Sequence, residues 1–331
     1  MEPVNVLVIT SLVGESLERI AGVSPRIKVI NAADKLRAER KGDLSGKDEL
    51  DALLAEGEVI YGFRLPPGIL SRTPKLKWIQ TMSAGVEHFM TDEVKQNRAI
   101  VTNASGLHAV PIAEYILGQM LMFVKRSSFC FQSQQDNVWQ RTSPSVLSGK
   151  TLGIIGLGHI GAETARLAKA FGMRVLATRR SVKQARNARN VDALYPTERL
   201  TEVLAESDFV ALTLPLTPAT SKIIGEKELR AMKPGAFLIN IARGDVVDEE
   251  ALTRALEEGW IAGAGLDVFA TEPLPAESRL WGMPNVVITP HISGGSDDDN
   301  AWGTTRIFAE NLTRYLEGRK LINVVSKKHG Y

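Results

Sequence analysis

The feature that most constrains this chain is a repeated alternation between short apolar runs rich in β-branched residues and longer stretches with helical spacing. In the first hundred residues the apolar runs occupy residues 5–10, 26–30, 58–63, 76–82 and 99–103. Short apolar runs separated by helical stretches are typical of parallel strands joined by crossover helices. The sequence therefore predicts an α/β layer with a parallel sheet in this part of the chain.

From Thr151 onward the same alternation is more regular. Six further strand candidates occupy residues 151–156, 174–178, 209–214, 236–240, 262–267 and 285–289. Helical stretches separate the first five, and a proline-rich loop precedes the sixth. Six strands in this alternation match a doubly wound sheet of the kind that binds dinucleotides.

The predicted fold class is therefore α/β, with two Rossmann-like or flavodoxin-like domains, one inserted within the other. A mostly apolar helical pattern over residues 106–126 would connect the domains, and the tail over residues 319–331 would return to the first one. A chain of 331 residues suits two domains. We expect a discontinuous substrate domain over residues 1–104 and 294–331, and a dinucleotide-binding domain over residues 105–293.

Composition argues against several kinds of partner and site. Forty basic and thirty-eight acidic side chains leave a formal net charge of +2, too balanced for strong attraction to nucleic acid. No apolar run approaches ~18 residues and no basic leader precedes the first one, so we expect neither a membrane span nor export. The single cysteine, Cys130, excludes an internal disulfide and suits the cytoplasm, and we expect it to pack as a small apolar side chain. No spacing of His, Asp and Glu suggests a metal site.

A glycine-rich turn follows the first strand of the second series and opens a helix. Its residues are Gly156, Leu157, Gly158, His159, Ile160 and Gly161. In this context Gly156 would permit the tight turn, Gly158 the approach of a pyrophosphate, and Gly161 close packing of helix on strand. The pyrophosphate would then meet the N-terminus of the helix, with His159 and Ile160 in its first turn. His159 is equally compatible with simple exposure to solvent.

The end of the next strand carries Thr178, Arg179 and Arg180. In dinucleotide-binding folds an acidic residue at this point bonds the ribose 2′-hydroxyl, whereas arginine accommodates a 2′-phosphate. Because arginines stand here and no carboxylate does, the sequence predicts that NADP(H) is preferred over NAD(H). The alternative is a solvated basic turn that discriminates little between the two cofactors.

Three titratable residues follow three later strand candidates: Arg243, Glu272 and His291. Ligands bind beyond the carboxyl ends of strands in open α/β sheets, so these side chains are expected to converge near a bound nicotinamide. Reduction of a keto acid needs a proton donor, which His291 suits, and a cation for the carboxylate, which Arg243 suits. Glu272 would orient the imidazole. We therefore predict this trio as the catalytic set.

Several segments resemble the D-isomer-specific 2-hydroxyacid dehydrogenases. They are the glycine-rich turn, residues 204–225 and 232–248, the run LDVFATEPLP and the run TPHISG, and the resemblance extends from about Ser83 to the C-terminus. The resemblance implies the nested two-domain architecture, a homodimer formed through the cofactor domain, and a catalytic Arg, Glu and His at Arg243, Glu272 and His291. It also implies further cofactor contacts at Pro215, Ile241, Ala242, Arg243, Asp267 and His291.

The same resemblance assigns substrate-binding residues. The loop at Ala84, Gly85 and Val86 is similar to one whose amides hold the substrate carboxylate, and Arg243 would bind the same group. Arg64 is a further candidate for the substrate pocket. The chain departs from the family at Thr213, where histidine or asparagine is frequent, and at His159, where arginine is frequent.

The implied activity is that of a 2-keto acid reductase, with glyoxylate or hydroxypyruvate as the leading substrates and a broader substrate range as the next alternative. A dinucleotide-sensing corepressor of the same fold is an alternative from a different class. Trp139 could reach a partner subunit, although we expect it to pack within its own chain.

Overall fold

The chain forms two compact units in the computed structural model. The first unit combines residues 1–107 with residues 296–331, and the second contains residues 108–295. The structure describes residues 2–12, 14–86, 89–295 and 300–328, the last segment with its side chains from residue 303 onward. The unit boundaries after residues 107 and 295 lie close to those expected after residues 104 and 293.

The first unit is built on a five-stranded parallel sheet with the order β2-β1-β3-β4-β5. Its strands are β1 (Val4–Val8), β2 (Ile27–Asn31), β3 (Val59–Gly62), β4 (Trp78–Thr81) and β5 (Ile100–Thr102). Its helices are α1 (Gly14–Ala21), α2 (Ala33–Arg40), α3 (Lys47–Ala55), α4 (Asp92–Gln96) and α11 (Asn300–Leu316), with a 3-10 turn at Leu70–Arg72. This strand order is the flavodoxin-like one.

The central strands of this sheet are apolar because both of their faces are covered. On one face Leu7, Ile60 and Ile79 pack into one core cluster. On the other, Tyr61 stacks on Phe308 of α11 with ring centroids 4.1 Å apart. The tail then returns to this unit, since Val325 donates a backbone hydrogen bond to Val101 at 2.8 Å.

The second unit is built on an eight-stranded sheet with the order β13-β12-β11-β10-β6-β7-β9-β8. Its strands are β6 (Thr151–Ile155), β7 (Arg174–Thr178), β8 (Arg186–Ala188), β9 (Val191–Tyr195), β10 (Phe209–Leu212), β11 (Phe237–Asn240), β12 (Gly263–Leu266) and β13 (Val286–Ile288). Its helices are α5 (Ala109–Lys125), α6 (Ser127–Gln135), α7 (His159–Ala170), α8 (Leu200–Glu206), α9 (Glu226–Ala231) and α10 (Glu249–Glu257), with 3-10 turns at Thr197–Arg199, Gly244–Val246 and Arg279–Gly282.

The six predicted strands of this unit are present, and all are parallel. The strand order reverses between β6 and β10, the point at which doubly wound sheets bind their ligands. The sequence did not predict β8 and β9, which form an antiparallel hairpin at one edge of the sheet. The α/β fold class with parallel sheets is confirmed.

Helix α5 begins the second unit and contributes a buried face to its core. Ile116, Met120 and Val124 lie on that face, beside the strand residues of the same core cluster. Pro111 lies in the first turn of this helix, which is continuous from Ala109 to Lys125. A proline is tolerated there because the first backbone N–H groups of a helix have no partner within it.

The expected packing of Cys130 and Trp139 is wrong. Cys130 is exposed on α6, a helix without any buried residue, and the side chain of Trp139 is 94% exposed. Both lie in the stretch over residues 127–146. None of the residues in this stretch is buried.

Candidate active site

The glycine-rich turn of the second unit leads from β6 into α7. Gly156 has φ +100°, and a Cβ on it would lie 2.7 Å from the Cβ of Leu214 and 3.0 Å from the Leu214 nitrogen. Gly158 precedes α7, and a Cβ there would meet no atom within 4 Å. The backbone at Gly158 is therefore open to the approach of an anion, which the first N–H groups of this twelve-residue helix can bind.

Thr213 supports this turn from below. Its Oγ1 donates to the Gly156 carbonyl at 2.8 Å, and a Cβ on Gly161 would lie 3.0 Å from the same oxygen. In the sequence, Thr213 was noted as a departure from the family pattern, and no role was predicted for it. The structure shows that the hydroxyl bonds the backbone of the turn itself.

The end of β7 lies beside the turn. The Thr178 carbonyl accepts a hydrogen bond from the Leu157 nitrogen at 2.9 Å, so residues 178–180 continue next to the glycines. Thr178 is buried, whereas Arg179 and Arg180 are exposed, and the Arg179 nitrogen donates to the Tyr195 carbonyl at 3.0 Å. The basic pair is therefore presented to solvent at the expected strand end.

Arg243 follows β11 in a turn that the side chain of Asn240 closes. The amide oxygen of Asn240 accepts from the Ala242 nitrogen, and its Nδ2 donates to the Arg243 carbonyl, both at 3.0 Å. Ile241 and Ala242 are buried, and Arg243 is half-buried with Nη1 donating to the Ala242 carbonyl at 2.7 Å. The guanidinium is thereby fixed close to its own backbone.

Gly244, which was not among the predicted site residues, brings two loops of this region together. A Cβ at this position would overlap the carbonyl carbon and oxygen of Phe269. The residue after Arg243 therefore has to be glycine for the backbone after β11 to touch the backbone after β12. A conspicuous Arg-Gly pair at a strand end is the signal that could have identified it.

Glu272 and His291 form a direct pair. His291 Nδ1 lies 2.8 Å from Glu272 Oε2, while Oε1 of the same carboxylate accepts from the Phe269 nitrogen at 3.1 Å. The His291 side chain is half exposed. Because one ring nitrogen is bound to the carboxylate, Nε2 is the nitrogen left to exchange a proton with a ligand.

Asp267 holds the segment that carries His291. Its carboxylate is completely buried and accepts from Thr289 Oγ1 at 2.6 Å and from the backbone nitrogens of Ile292 and Ser293 at 2.9 Å each. The His291 nitrogen also donates to the Asp267 carbonyl at 2.9 Å. His291 itself has φ +55°, a backbone conformation that residues other than glycine adopt infrequently, and these hydrogen bonds hold it.

The predicted carboxylate-binding loop lies in the first unit. Asn103 Nδ2 donates to the Ala84 carbonyl, and Ser83 Oγ donates to the Gly85 carbonyl, both at 2.7 Å. Since N–H and C=O point in opposite directions in a trans peptide, the amides of Gly85 and Val86 point away from these two side chains. Two neighbouring N–H groups are thus oriented by the side chains of Ser83, beside the loop, and of Asn103, after β5.

The remaining predicted site residues occupy surface or helix-end positions. His159 is the exposed first residue of α7, Ile160 beside it is half-buried, and Pro215 is exposed after β10. Arg64 is exposed two residues after the end of β3.

No helix among the described residues is long and apolar enough to cross a membrane. Within the same described part of the chain, no three His, Cys, Asp or Glu side chains are grouped so that they could hold a metal ion.

Comparison with known proteins agrees with this geometry. Residues 117–293 match the family model described as "D-isomer specific 2-hydroxyacid dehydrogenase, NAD binding domain". The chain is 37% identical over 282 residues to glyoxylate/hydroxypyruvate reductase B of Pectobacterium carotovorum, covering 82% of this chain and 86% of that protein. It is also 37% identical to glyoxylate reductase of Thermococcus gammatolerans, covering 85% and 84%.

Two solved structures are similar over almost the whole chain. A D-isomer specific 2-hydroxyacid dehydrogenase from Xanthobacter autotrophicus, in complex with NADPH and MES, aligns with a TM-score of 0.83 at 28% identity and covers all of both chains. An NADPH-dependent glyoxylate/hydroxypyruvate reductase from Sinorhizobium meliloti, in complex with NADP and sulfate, aligns with a TM-score of 0.81 at 28% identity, covering 99% of this chain and all of that one. This chain therefore belongs to the D-isomer specific 2-hydroxyacid dehydrogenase family and is an NAD(P)-dependent oxidoreductase.

Proposed function

We propose that this protein reduces small 2-keto acids such as glyoxylate and hydroxypyruvate to 2-hydroxy acids, with NADP(H) as the preferred cofactor and His291 as the acid/base. The observation that carries the proposal is the 2.8 Å contact between His291 Nδ1 and Glu272 Oε2 at the carboxyl edge of the second sheet. The relatives named glyoxylate/hydroxypyruvate reductase support this substrate class.

The three predicted catalytic residues have different roles, which follow from the chemistry of their side chains. A nicotinamide cofactor, once bound, would provide the hydride for the carbonyl carbon, and the carbonyl oxygen would then need a proton. His291 donates that proton from Nε2, and Glu272, bound to Nδ1, keeps the ring in position. Arg243 binds the substrate carboxylate and polarises the carbonyl.

The two units take different parts in this proposal. The second unit binds the cofactor through Gly156, Gly158, Gly161 and the first turn of α7, with Pro215, Ile241 and Ala242 as further contacts. Asp267 is a further predicted contact, to the nicotinamide amide, and its completely buried carboxylate already accepts three hydrogen bonds from protein donors. In the first unit, the amides of Gly85 and Val86 bind the substrate carboxylate, and Arg64 remains a predicted pocket residue.

The preference for NADP(H) rests on Arg179 and Arg180. Both are exposed at the end of β7, next to the glycine-rich turn, where a 2′-phosphate would lie. An arginine fork binds phosphate with two parallel hydrogen bonds, which a free ribose hydroxyl cannot match. NAD(H) is expected to function with lower efficiency.

We further propose that the protein is a homodimer formed through residues 127–146 of the second unit. Phe131, Val138 and Val146 are more than half exposed in this stretch, and Trp139 is 94% exposed. Exposed aromatic side chains close together in the sequence are typical of an interface core rather than of a free surface. The cytoplasmic location predicted from the sequence stays a prediction.

The corepressor alternative is not favoured, because the relatives bear the names of reductases. A reductase with a broader substrate range would have the same catalytic residues and would differ only in the side chains that line the substrate pocket.

Steady-state reduction of a panel of keto acids tests the proposal. The panel contains glyoxylate, hydroxypyruvate, pyruvate and branched and aromatic 2-keto acids, each with NADPH and with NADH. We expect the highest kcat/KM for glyoxylate or hydroxypyruvate with NADPH. A clear advantage for NADH contradicts the cofactor assignment, and binding of NADPH without reduction of any keto acid contradicts the enzymatic one.

A further inference from the structure

A chain of partly buried hydrogen bonds links helix α5 to the segment that carries His291. Gln119 Nε2 lies 2.8 Å from the Tyr115 hydroxyl, and that hydroxyl lies 2.5 Å from Thr289 Oγ1. Thr289 Oγ1 in turn lies 2.6 Å from Asp267 Oδ1. The last member of this chain is the carboxylate that also binds the backbone nitrogens on the C-terminal side of His291.

The direction of each bond in this chain is fixed by counting donors. A carboxylate oxygen can only accept, so the single proton of the Thr289 hydroxyl goes to Asp267 Oδ1. Thr289 therefore has no second proton for Tyr115, and Tyr115 must donate to Thr289. The Gln119 amide donates to Tyr115, which completes a chain in which every donor points towards the negative charge. Such chains strengthen their members because each bond polarises the next.

Helix α5 also holds the other end of the same segment. His108, immediately before α5, forms a hydrogen bond with the backbone of Gly294, three residues after His291. Tyr115, two turns further along the helix, holds Thr289, two residues before His291. The helix and its N-cap residue thus contact the segment on both sides of the imidazole.

The surroundings of Tyr115 keep it a donor. Burial raises the pKa of the Tyr115 phenol, and the charge of Asp267 raises it further, against the hydrogen bond with Thr289. The hydroxyl therefore keeps its proton throughout the neutral range.

We propose that Tyr115 is a positioning residue for His291, which acts through Thr289 and Asp267 to hold the imidazole in line with Glu272. The inference rests on the proposed function, in which His291 donates the proton. Tyr115 touches neither substrate nor cofactor in this account. Its contribution is to the geometry of the proton transfer, which misplacement by even a fraction of a bond length slows.

Replacement of Tyr115 by phenylalanine removes the hydroxyl and keeps the ring. We expect kcat for hydroxypyruvate at saturating NADPH to fall about 3- to 10-fold in Tyr115→Phe, the range that loss of one neutral hydrogen bond produces. The Kd for NADPH should change by less than about twofold. The matched control is Tyr315→Phe, which removes a hydroxyl that donates to Glu58 Oε1 at 2.5 Å in the first unit and should leave kcat unchanged. Equal kcat in wild type and Tyr115→Phe would overturn the inference.

A double-mutant cycle tests the route through Thr289. Thr289→Val breaks the chain between Tyr115 and Asp267, so adding Tyr115→Phe to Thr289→Val should cause no further loss of kcat. If the two losses multiply instead, Tyr115 acts by another route and the proposal is wrong.

The NMR signal of the His291 ring gives a readout that does not depend on turnover. In protein with labelled histidine, the signal lost in His291→Asn identifies this ring among the five histidines. We expect the His291 signal to move in Tyr115→Phe and to stay in place in Tyr315→Phe. If Tyr115 were purely structural, Tyr115→Phe would lower the melting temperature without moving the His291 signal. If wild type reduces no keto acid, the proposed function fails, and the position of this signal still decides the inference.

Discussion

At the scale of single residues, the two ring nitrogens of His291 lie in different surroundings. Nδ1 is bound to Glu272 at 2.8 Å, and the backbone on either side of the ring is held by the buried Asp267 carboxylate and carbonyl. The tautomer and the direction of the ring are therefore decided by protein groups before any ligand binds, which is the condition for efficient proton transfer.

Arg179 is the residue whose replacement reports most directly on cofactor choice. Loss of charge-assisted hydrogen bonds to a 2′-phosphate should lower kcat/KM for NADPH about 10- to 100-fold in Arg179→Ala. The value for NADH should stay within about twofold, because NADH lacks this phosphate. Arg98→Ala, which removes the same charge from an exposed position of the first unit, is the control. Equal losses with both cofactors would show that Arg179 does not read the phosphate.

Residues of the candidate site could be predicted where their position in the fold follows from their position in the sequence. Arg243, Glu272 and His291 each follow an apolar strand, and parallel strands bring their ends to one edge, which makes such residues visible in the sequence. Tyr115 and Thr289 are 174 positions apart, and no local pattern records that their hydroxyls meet. Gly244 was missed for a similar reason, since its need for a small side chain arises from Phe269 on another loop.

At the scale of elements, the strands that sequence analysis located are those covered on both faces. Strand β10, for example, is buried at all four positions and reads as an apolar run. The hairpin of β8 and β9 was not predicted from the sequence, because β8 is an Arg-Asn-Ala segment at the edge of the sheet with little apolar surface to bury. Asn190 lies in the turn between them with φ +60°, and asparagine at such a position is a local feature of tight hairpin turns.

Asp192 on β9 ties this hairpin to its neighbours and should make stability depend on pH. The Val175 backbone N–H, at 2.7 Å, holds the pKa of the Asp192 carboxyl below its usual range, and the Lys169 ammonium lowers that pKa further. A carboxyl with a depressed folded-state pKa contributes stability above the unfolded pKa of about 3.9, and this contribution is lost as pH falls through the folded value.

We therefore expect Asp192→Asn to melt below wild type at neutral pH and the two melting temperatures to converge below about pH 4. Thermal unfolding followed by circular dichroism between neutral and acidic pH measures this difference. The backbone N–H is the largest cause of the shift, so Lys169→Met should retain most of the pH dependence. A gap between wild type and Asp192→Asn that stays constant into the acid range would contradict the assignment.

At the scale of the whole molecule, the stretch over residues 127–146 is the proposed dimer interface, so its replacement should decide between monomer and dimer. Introducing a charge into an apolar interface should disrupt it, because the charge loses its hydration without gaining a partner. We expect wild type to sediment as a dimer and Phe131→Asp as a monomer. Leu44→Asp is a matched control, since Leu44 is 58% exposed in the first unit and Phe131 is 57% exposed. A monomeric wild type, or a dimeric Phe131→Asp, would refute the proposed interface.

The central claim is that this molecule uses His291 to reduce small 2-keto acids. Its most direct test compares wild type with His291→Asn in NADPH-dependent reduction of hydroxypyruvate and glyoxylate, with NADPH affinity measured by fluorescence. We predict turnover by wild type and a loss of about 100- to 10,000-fold in kcat for His291→Asn, with the Kd for NADPH unchanged within about twofold. Undiminished kcat in His291→Asn, or no reduction of either acid by wild type, would contradict the account.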